Sequence, residues 1–179
     1  MEIKSMTPVM KKFILHWGEL GTRWGINRTV AQIHALLYLS PKALNAEEIA
    51  ETLSIARSNV STSLKELQSW GVVRVIHEFG DRKDYFESEK DVWEMARRVL
   101  DERKKREIDP TLTILRECVM DSGNKTQGDE YANQKLTEML DYFEQITAWY
   151  DQMSTMSTDN VKRLIKLGSG VKKVLGKVT

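Results

Sequence analysis

The stretch NAEEIAETLSIARSNVSTSLKELQSW, residues 45–70, decides the fold. Its first part has the pattern of a capping box, in which Asn45 and Glu48 satisfy each other's backbone N–H groups at the start of a helix. This pattern predicts a short helix at residues 46–53. After a short break, the remaining residues predict a longer helix at 57–70. Two helices separated by so short a break indicate a helix-turn-helix.

The apolar residues of this stretch fit one shared core. Ala50 is the small residue expected where the two helices cross, and Ile55 is the apolar residue expected inside the turn. Three positions depart from the usual pattern. Ser54 stands where glycine is common, Ser63 stands where an apolar residue is usual, and Ala56 is a poor N-cap. The expected shared core consists of Ile49, Leu53, Val60, Leu64 and Leu67.

The outer face of the second predicted helix carries small hydrogen-bonding side chains and two basic residues. Such a face suits a helix that lies in the major groove of double-stranded DNA. The candidate DNA-binding residues on this helix are Arg57, Ser58, Asn59, Ser61, Thr62 and Lys65.

A predicted β-hairpin follows this helix directly. Residues 72–79 are rich in β-branched side chains, and residues 84–87 fit the return strand. Arg82 and Lys83 lie at the predicted tip, where they could touch the DNA backbone or the minor groove. Asp81 would repel phosphate there, so we expect it to brace Arg82 or a neighbouring backbone amide. A solvated charged turn is the alternative interpretation of the tip.

The rest of the chain is predicted to be helical, with a loop at 121–128 and a basic tail after Gly168-Ser169-Gly170. Further helices are expected at 8–23, from Asn27 to Ser40, at 89–107, from Asp109 with Pro110 at its first position, at 129–153 and from about 158 to 167. The predicted fold is mostly α with a small β-hairpin wing. It consists of a winged helix-turn-helix domain at 1–88 and a helical dimerisation module, which could hold an effector, at 89–179.

The motifs resemble the MarR superfamily of bacterial and archaeal regulators. Residues 48–61 look like that family's helix-turn-helix, and Trp70-Gly71-Val72-Val73 looks like the start of its wing. Residues 80–86, together with Asp91-Val92-Trp93, look more specifically like its GbsR branch. The resemblance implies a dimeric repressor that binds DNA. It also implies, more loosely, a link to osmoprotectants such as glycine betaine.

One predicted C-terminal helix carries a heptad-like apolar seam, which is typical of helices that pair. Winged-helix regulators need two-fold symmetry to contact two half-sites, so we expect a homodimer, although burial within a single domain is the alternative. The candidate dimerisation residues are Leu136, Met139, Phe143, Ile146, Tyr150 and Met153.

An effector site is the least specific expectation. Aromatic faces attract quaternary ammonium groups, so a small cationic ligand such as choline or a betaine could bind beside the wing. The candidate residues are Trp17, Trp24 and Trp93, which fall on helices flanking the wing. Tryptophans at helical spacing are more often core residues, which is the alternative.

The overall charge leaves a second functional class open. The net charge is only +1, so any basic surface must come from local segregation of basic and acidic residues. A winged-helix protein-interaction module that does not bind DNA is therefore the alternative function.

The motifs of other functional classes are missing from the sequence. It shows no phosphate loop, nucleophile elbow or zinc spacing, so we expect no enzymatic activity, no cofactor and no metal. Cys118 is the single cysteine and fits a small core residue. Because neither a signal peptide nor a membrane-spanning run is evident, a cytoplasmic location with no membrane partner is expected.

Overall fold

In the computed structural model, residues 6–122 and 130–175 are described, with side chains for 6–121 and 130–167. The described part is mostly helical with a small antiparallel sheet, as predicted. The elements are α1 (Pro8–Arg23), α2 (Arg28–Leu39), β1 (Leu44–Asn45), α3 (Ala46–Leu53), α4 (Arg57–Ser69), β2 (Val73–His77), β3 (Asp84–Ser88), α5 (Val92–Arg103), a π-helical turn (Lys104–Ile108), α6 (Asp109–Ser122), α7 (Glu130–Ser154) and α8 (Thr158–Leu175).

The chain divides into two compact units, Met1–Val99 and Leu100–Thr179. The first unit extends beyond residue 88, where the sequence suggested a boundary. Met95 is buried in the core of the first unit and Val99 packs against that core, so the first turns of α5 belong to it. The helix-turn-helix shares this core, because Ile33 of α2, Ile49 of α3 and Val60 of α4 are completely buried in it.

Helix α1 lies very close to α2. A Cβ atom on Gly21 would stand 2.6 Å from the Cβ of Ala31, and one on Gly18 would stand 2.7 Å from Cγ of Gln32. No real side chain tolerates the first distance, because the neighbouring methyl is fixed to the backbone. The two glycines therefore allow the close approach of α1 to α2.

The sheet has three strands in the order β1-β3-β2, so the predicted hairpin gains a strand that the sequence did not reveal. In this sheet Leu44 of β1 pairs with Phe86, and Phe86 also pairs with Val75 of β2. Because β1 immediately precedes α3, this pairing ties β3 of the hairpin to the start of the helix-turn-helix.

Helix α2 ends at a cation from a distant part of the chain. The Nζ of Lys90 donates hydrogen bonds to the carbonyl oxygens of Leu37 (2.6 Å), Tyr38 (3.0 Å) and Ser40 (2.7 Å). The last carbonyls of a helix have no partner within it and carry partial negative charge, so an ammonium group there stabilises the helix end.

The predicted start of a new helix at Asp109-Pro110 agrees with the start of α6, but the expected helix end just before it is absent. Residues 104–108 form a π-helical turn that connects α5 to α6 without a break, and the Asp109 N–H donates to the Lys104 carbonyl. In a regular helix the Pro110 ring would clash with the Arg106 carbonyl, and a widened turn relieves such crowding. Pro110 therefore widens the helix here without ending it.

Two further boundaries differ from the prediction. Helix α8 continues through Gly168-Ser169-Gly170 to Leu175, where a basic tail was expected. Residues 121–122 of the predicted loop belong to α6, and 123–129 lie outside the described residues.

Within the second unit, α6 packs along α7. Leu112 and Leu115 of α6 are buried, and Arg116 Nη2 lies 2.8 Å from an oxygen of Glu144 on α7. The Tyr150 hydroxyl donates to Asp101 at 2.6 Å.

Among the described residues, no helix combines the length and apolar character that a membrane span requires.

Candidate nucleic-acid interface

The turn between α3 and α4 accounts for the departures from the usual motif. Ser54 has φ 54° and ψ 46°, which is the left-handed conformation that normally favours glycine. Ile55 packs against the core as expected, whereas Ala56 caps α4 without any side-chain hydrogen bond. Ser63 is buried at the position where an apolar residue was expected. The turn therefore keeps its geometry with a serine in place of glycine.

Helix α4 has one buried and one exposed side. Val60, Leu64 and Leu67 are buried beneath it. The Thr62 hydroxyl donates to the Ser58 carbonyl at 3.1 Å, so this hydroxyl is already engaged within the helix. All six candidate DNA-binding residues of this helix are exposed: Arg57, Ser58, Asn59, Ser61, Thr62 and Lys65.

A groove of about 420 Å³ separates α4 from the hairpin. Three of the predicted DNA-binding residues of α4 line it, namely Arg57, Ser61 and Lys65. Arg82 and Lys83 line it from the hairpin side. The fold thus brings the predicted helix and hairpin cations to one groove, while Ser58, Asn59 and Thr62 lie outside its lining.

The hairpin tip is braced by Asp81. Its carboxylate accepts the Lys83 backbone N–H at 2.9 Å and the Tyr85 hydroxyl at 2.9 Å. These two hydrogen bonds, that of the Lys83 N–H foremost, lower the pKa of Asp81 from its usual value. Gly80 beside it has φ 85°, which permits the turn. Asp81 therefore fixes the backbone of the tip, as its position predicted.

Two acidic residues that the sequence analysis left out pair with basic residues, Glu47 with two cations of the site and Glu87 with Arg74 of the hairpin. Glu47, in the first turn of α3, lies 3.1 Å from Arg57 Nη2 and 3.7 Å from Lys83 Nζ. Glu87 on β3 pairs with Arg74 across the hairpin. The local basic surface is therefore smaller than the residue types alone suggest. Glu47 could have been found from the sequence only by placing α3 beside the hairpin.

A fully exposed aromatic ring was also missed. Phe79 lies next to Gly80 near the hairpin tip, and its side chain is entirely exposed. Sequence reasoning treated it as part of a strand, whereas β2 ends at His77.

A second cavity, of about 240 Å³, lies within the first unit. Trp17 lines it and stacks on Phe13, with ring centroids 5.3 Å apart. His34 also lines it, is 7% exposed, and has an Nε2 atom without a hydrogen-bond partner in the described part of the chain. Burial, and secondarily the charge of Lys90, lower the pKa of His34 to about 4, so its ring is neutral at pH 7.

The three candidate effector tryptophans do not share this cavity. Of the three, Trp17 alone lines the cavity. The other lining residues include Tyr38 and Ala35 of α2 and Val92 and Met95 of α5. Trp24 ends α1 and is largely exposed, and Trp93 is half-buried at the start of α5. The structure therefore does not bring the three rings together as one cage.

The predicted dimerisation seam is divided within the second unit. Leu136, Phe143, Tyr150 and Met153 are half-buried, whereas Met139 and Ile146 are 52% and 48% exposed. Tyr142 and Trp149, which were not predicted, are exposed as well. Met139 and Ile146 therefore belong to an exposed apolar stripe that comprises Met139, Tyr142, Ile146 and Trp149. Cys118 on α6 is half-buried.

Comparisons with known proteins agree with this architecture. Residues 18–84 match the model of the MarR family. The chain is similar to the HTH-type transcriptional repressor GbsR of Bacillus subtilis (strain 168), with 26% identity over 137 residues that cover 75% of this chain and 76% of that protein. A crystal structure described as a transcriptional regulator has a TM-score of 0.66 at 17% identity, covers 82% of this chain and 96% of that one, and shares the fold. Taken with the helix-turn-helix and its hairpin wing, these matches confirm the expected resemblance to the MarR superfamily and its GbsR branch, and they support a DNA-binding regulator.

Proposed function

We propose that this protein is a sequence-specific, DNA-binding transcriptional regulator, which acts as a homodimeric repressor in the cytoplasm and responds to a small molecule. One observation carries the proposal. Arg57, Ser61 and Lys65 on the exposed side of α4 line the same groove as the cations of the wing, Arg82 and Lys83. A helix that enters the major groove while its wing touches the adjacent backbone needs this juxtaposition.

The two parts of the interface have different tasks in this proposal. Side chains of α4 such as Asn59 contact base edges and set the sequence preference, because amide and hydroxyl groups discriminate bases in the major groove. Arg82 and Lys83 contact phosphates or the minor groove, which adds affinity for any sequence. Asp81 supports this role by fixing the backbone that carries both cations.

A gel shift with purified protein tests DNA binding. The probe is the DNA upstream of the protein's own gene, compared with an unrelated duplex of equal length at two salt concentrations. We expect a shift of the upstream probe that survives an excess of unrelated duplex, with weaker binding at the higher salt concentration. If neither duplex is bound at low salt, the alternative of a protein-interaction module is favoured.

The homodimer is proposed to form through the exposed side of α7. Met139, Tyr142, Ile146 and Trp149 follow a 3-4-3 spacing, so they lie on one face of the helix, and all four are exposed. The other four residues of the predicted seam, Leu136, Phe143, Tyr150 and Met153, are half-buried and are not part of this exposed face. A contiguous apolar face on a helix that is otherwise polar is typical of a surface that a second copy covers.

Light scattering tests this assembly. The unmodified protein should have the mass of a dimer at micromolar concentration, and a monomer would contradict the proposal. Ile146→Asp should yield monomer because a charge would be buried between the two copies. Ala148→Asp is the matched control, since it adds the same charge at an exposed position about 160° around α7 from Ile146, away from the apolar stripe, and should leave the dimer intact.

The effector is proposed to be a small cationic molecule such as choline or a betaine, bound in the cavity beside Trp17. Support comes from its aromatic lining by Phe13, Trp17 and Tyr38, since quaternary ammonium groups are attracted to ring faces. The volume is below the roughly 300–1,000 Å³ of sites for drug-sized ligands, which suits a small molecule.

Fluorescence titration tests the effector site. Choline or glycine betaine should change the tryptophan emission of the parent and lower its affinity for DNA. Trp17→Leu, which removes the ring face, should abolish the effect of the ligand on DNA affinity, whereas Trp24→Leu should retain it because Trp24 does not line the cavity. If neither ligand alters emission or DNA affinity up to millimolar concentration, the osmoprotectant part of the proposal fails and the DNA-binding part stands.

A further inference from the structure

Glu47 occupies a position between the two DNA-facing elements. Its Oε1 lies 3.1 Å from Nη2 of Arg57 at the start of α4, and its Oε2 lies 3.7 Å from Nζ of Lys83 in the wing. Each carboxylate oxygen therefore faces a different cation. Both cations are among the residues proposed to contact DNA.

These ion pairs contribute little to the stability of the fold. The side chains of Glu47, Arg57 and Lys83 are 41%, 68% and 54% exposed, and ion pairs between exposed groups contribute little to folding. The start of α3 is already capped by the reciprocal hydrogen bonds of Asn45 and Glu48. Glu47 is therefore not needed as a cap.

The consequence of these pairs lies in the charge that the groove presents. Four basic residues line it, Arg57, Lys65, Arg82 and Lys83, together with two acidic ones, Glu47 and Asp84. A carboxylate offers paired anionic oxygens to guanidinium and ammonium groups much as a phosphate does. While Glu47 holds Arg57 and Lys83, a DNA phosphate that approaches these cations meets a like charge and a competing partner.

We propose that Glu47 is an internal competitor of DNA phosphates, which pairs with Arg57 and Lys83 in the free protein and thereby weakens the electrostatic part of DNA binding. The proposal rests on the proposed function, because it concerns the strength of binding at the same surface. Electrostatic contacts are independent of sequence, so a protein that limits them depends more strongly on base contacts for its affinity.

Glu47→Gln tests this role because glutamine keeps the size of the side chain and removes its charge. Glu51→Gln is the matched control. Glu51 is exposed one turn further along the same helix and forms no ion pair in the part of the chain that the structure describes. Both substitutions change the net charge equally, so a difference between them reports the contacts of Glu47 and not the overall charge.

The assay follows the fluorescence anisotropy of a labelled 25-base-pair duplex of random sequence, titrated with full-length protein between about 50 and 200 mM salt. We expect Glu47→Gln to bind about three- to tenfold more tightly than the parent at the lowest salt concentration, with a salt dependence steeper by about 1 in log–log slope. Glu51→Gln should change the affinity less than about twofold.

Each outcome discriminates between the hypotheses. If Glu47→Gln binds no more tightly than Glu51→Gln, the competition is refuted. If it binds more weakly than the parent, Glu47 positions the two cations for DNA, and the proposal is also refuted. If the parent itself binds neither this duplex nor the upstream DNA, the proposed function fails, and the role of Glu47 fails with it. Thermal melting of both variants checks that the fold is retained.

Discussion

The buried imidazole of His34 should make the stability of this protein fall as the solution is acidified. Its ring is 7% exposed and its Nε2 atom has no hydrogen-bond partner among the described residues. Burial and the nearby Lys90 charge lower its pKa from 6.5 to about 4. Between these two pH values the unfolded chain binds a proton that the folded chain does not bind. The free energy of unfolding therefore decreases as pH falls through this window and is restored above it.

The size of the effect follows from the two pKa values. A fall from 6.5 to about 4 corresponds to about 3 kcal/mol once the pH lies below both values, and about 2 kcal/mol is already lost at pH 5. For a domain of this size such a loss is a substantial fraction of the usual stability of roughly 5–15 kcal/mol. The loss should be visible in ordinary denaturation experiments.

Urea denaturation at pH 7, 6 and 5, followed by tryptophan fluorescence, measures this effect in the parent and in His34→Leu. Carboxylates also titrate toward low pH and affect both proteins. We therefore compare how much the free energy of unfolding changes between pH 7 and pH 5 in the parent and in the variant. The variant should lose about 2 kcal/mol less than the parent between pH 7 and pH 5. Equal pH dependence in the two proteins would refute the reasoning. NMR titration of the His34 ring in the parent provides an independent check, and a pKa near 6.5 there would refute it as well.

Two other contacts should show up as losses of stability. Gly21→Ala would place a methyl group 2.6 Å from the Cβ of Ala31, so we expect about 1–3 kcal/mol less stability in urea denaturation, and an unchanged midpoint would contradict the close packing of α1 on α2. Lys90→Met removes the ammonium group that bonds three carbonyls at the end of α2, so we expect a loss of about 1–2 kcal/mol. Equal hydrogen-exchange protection of α2 in parent and variant would contradict this second prediction.

The helix-turn-helix could be predicted because its signals are local. The capping box of Asn45 and Glu48 lies within four residues and is present in the structure. The apolar spacing of α4 likewise identified Val60, Leu64 and Leu67 as buried. The serine in the turn obscured the pattern slightly, because Ser54 adopts a conformation that is usual for glycine.

Features that depend on distant parts of the chain could not be predicted in the same way. Strand β1 has two residues, too few to show an alternating pattern, and it exists because Leu44 pairs with Phe86. Lys90 reaches a helix end about fifty positions earlier, which no local motif encodes. The pairing of Glu47 with Lys83 also requires the sheet that holds the wing beside α3.

The candidate sites were predicted unevenly for a related reason. An amphipathic pattern shows which residues leave the core, so the exposure of Arg57 and Asn59 on α4 followed from the sequence. It does not show which neighbour covers a given face, so the seam on α7 mixed half-buried Phe143 with exposed Ile146. Residue type alone likewise grouped tryptophans that the fold separates.

The central claim, that α4 contacts base edges while the wing contacts the backbone, is tested most directly by the DNA affinities of Asn59→Ala and Arg82→Ala. Each variant and the parent are titrated with the upstream duplex and with an unrelated duplex at two salt concentrations. Arg82→Ala should weaken binding to both duplexes by a similar factor and reduce the salt slope by about 1, whereas Asn59→Ala should lose about 1–3 kcal/mol on the upstream duplex alone. Variants that both bind the two duplexes as the parent does would contradict this mode of docking.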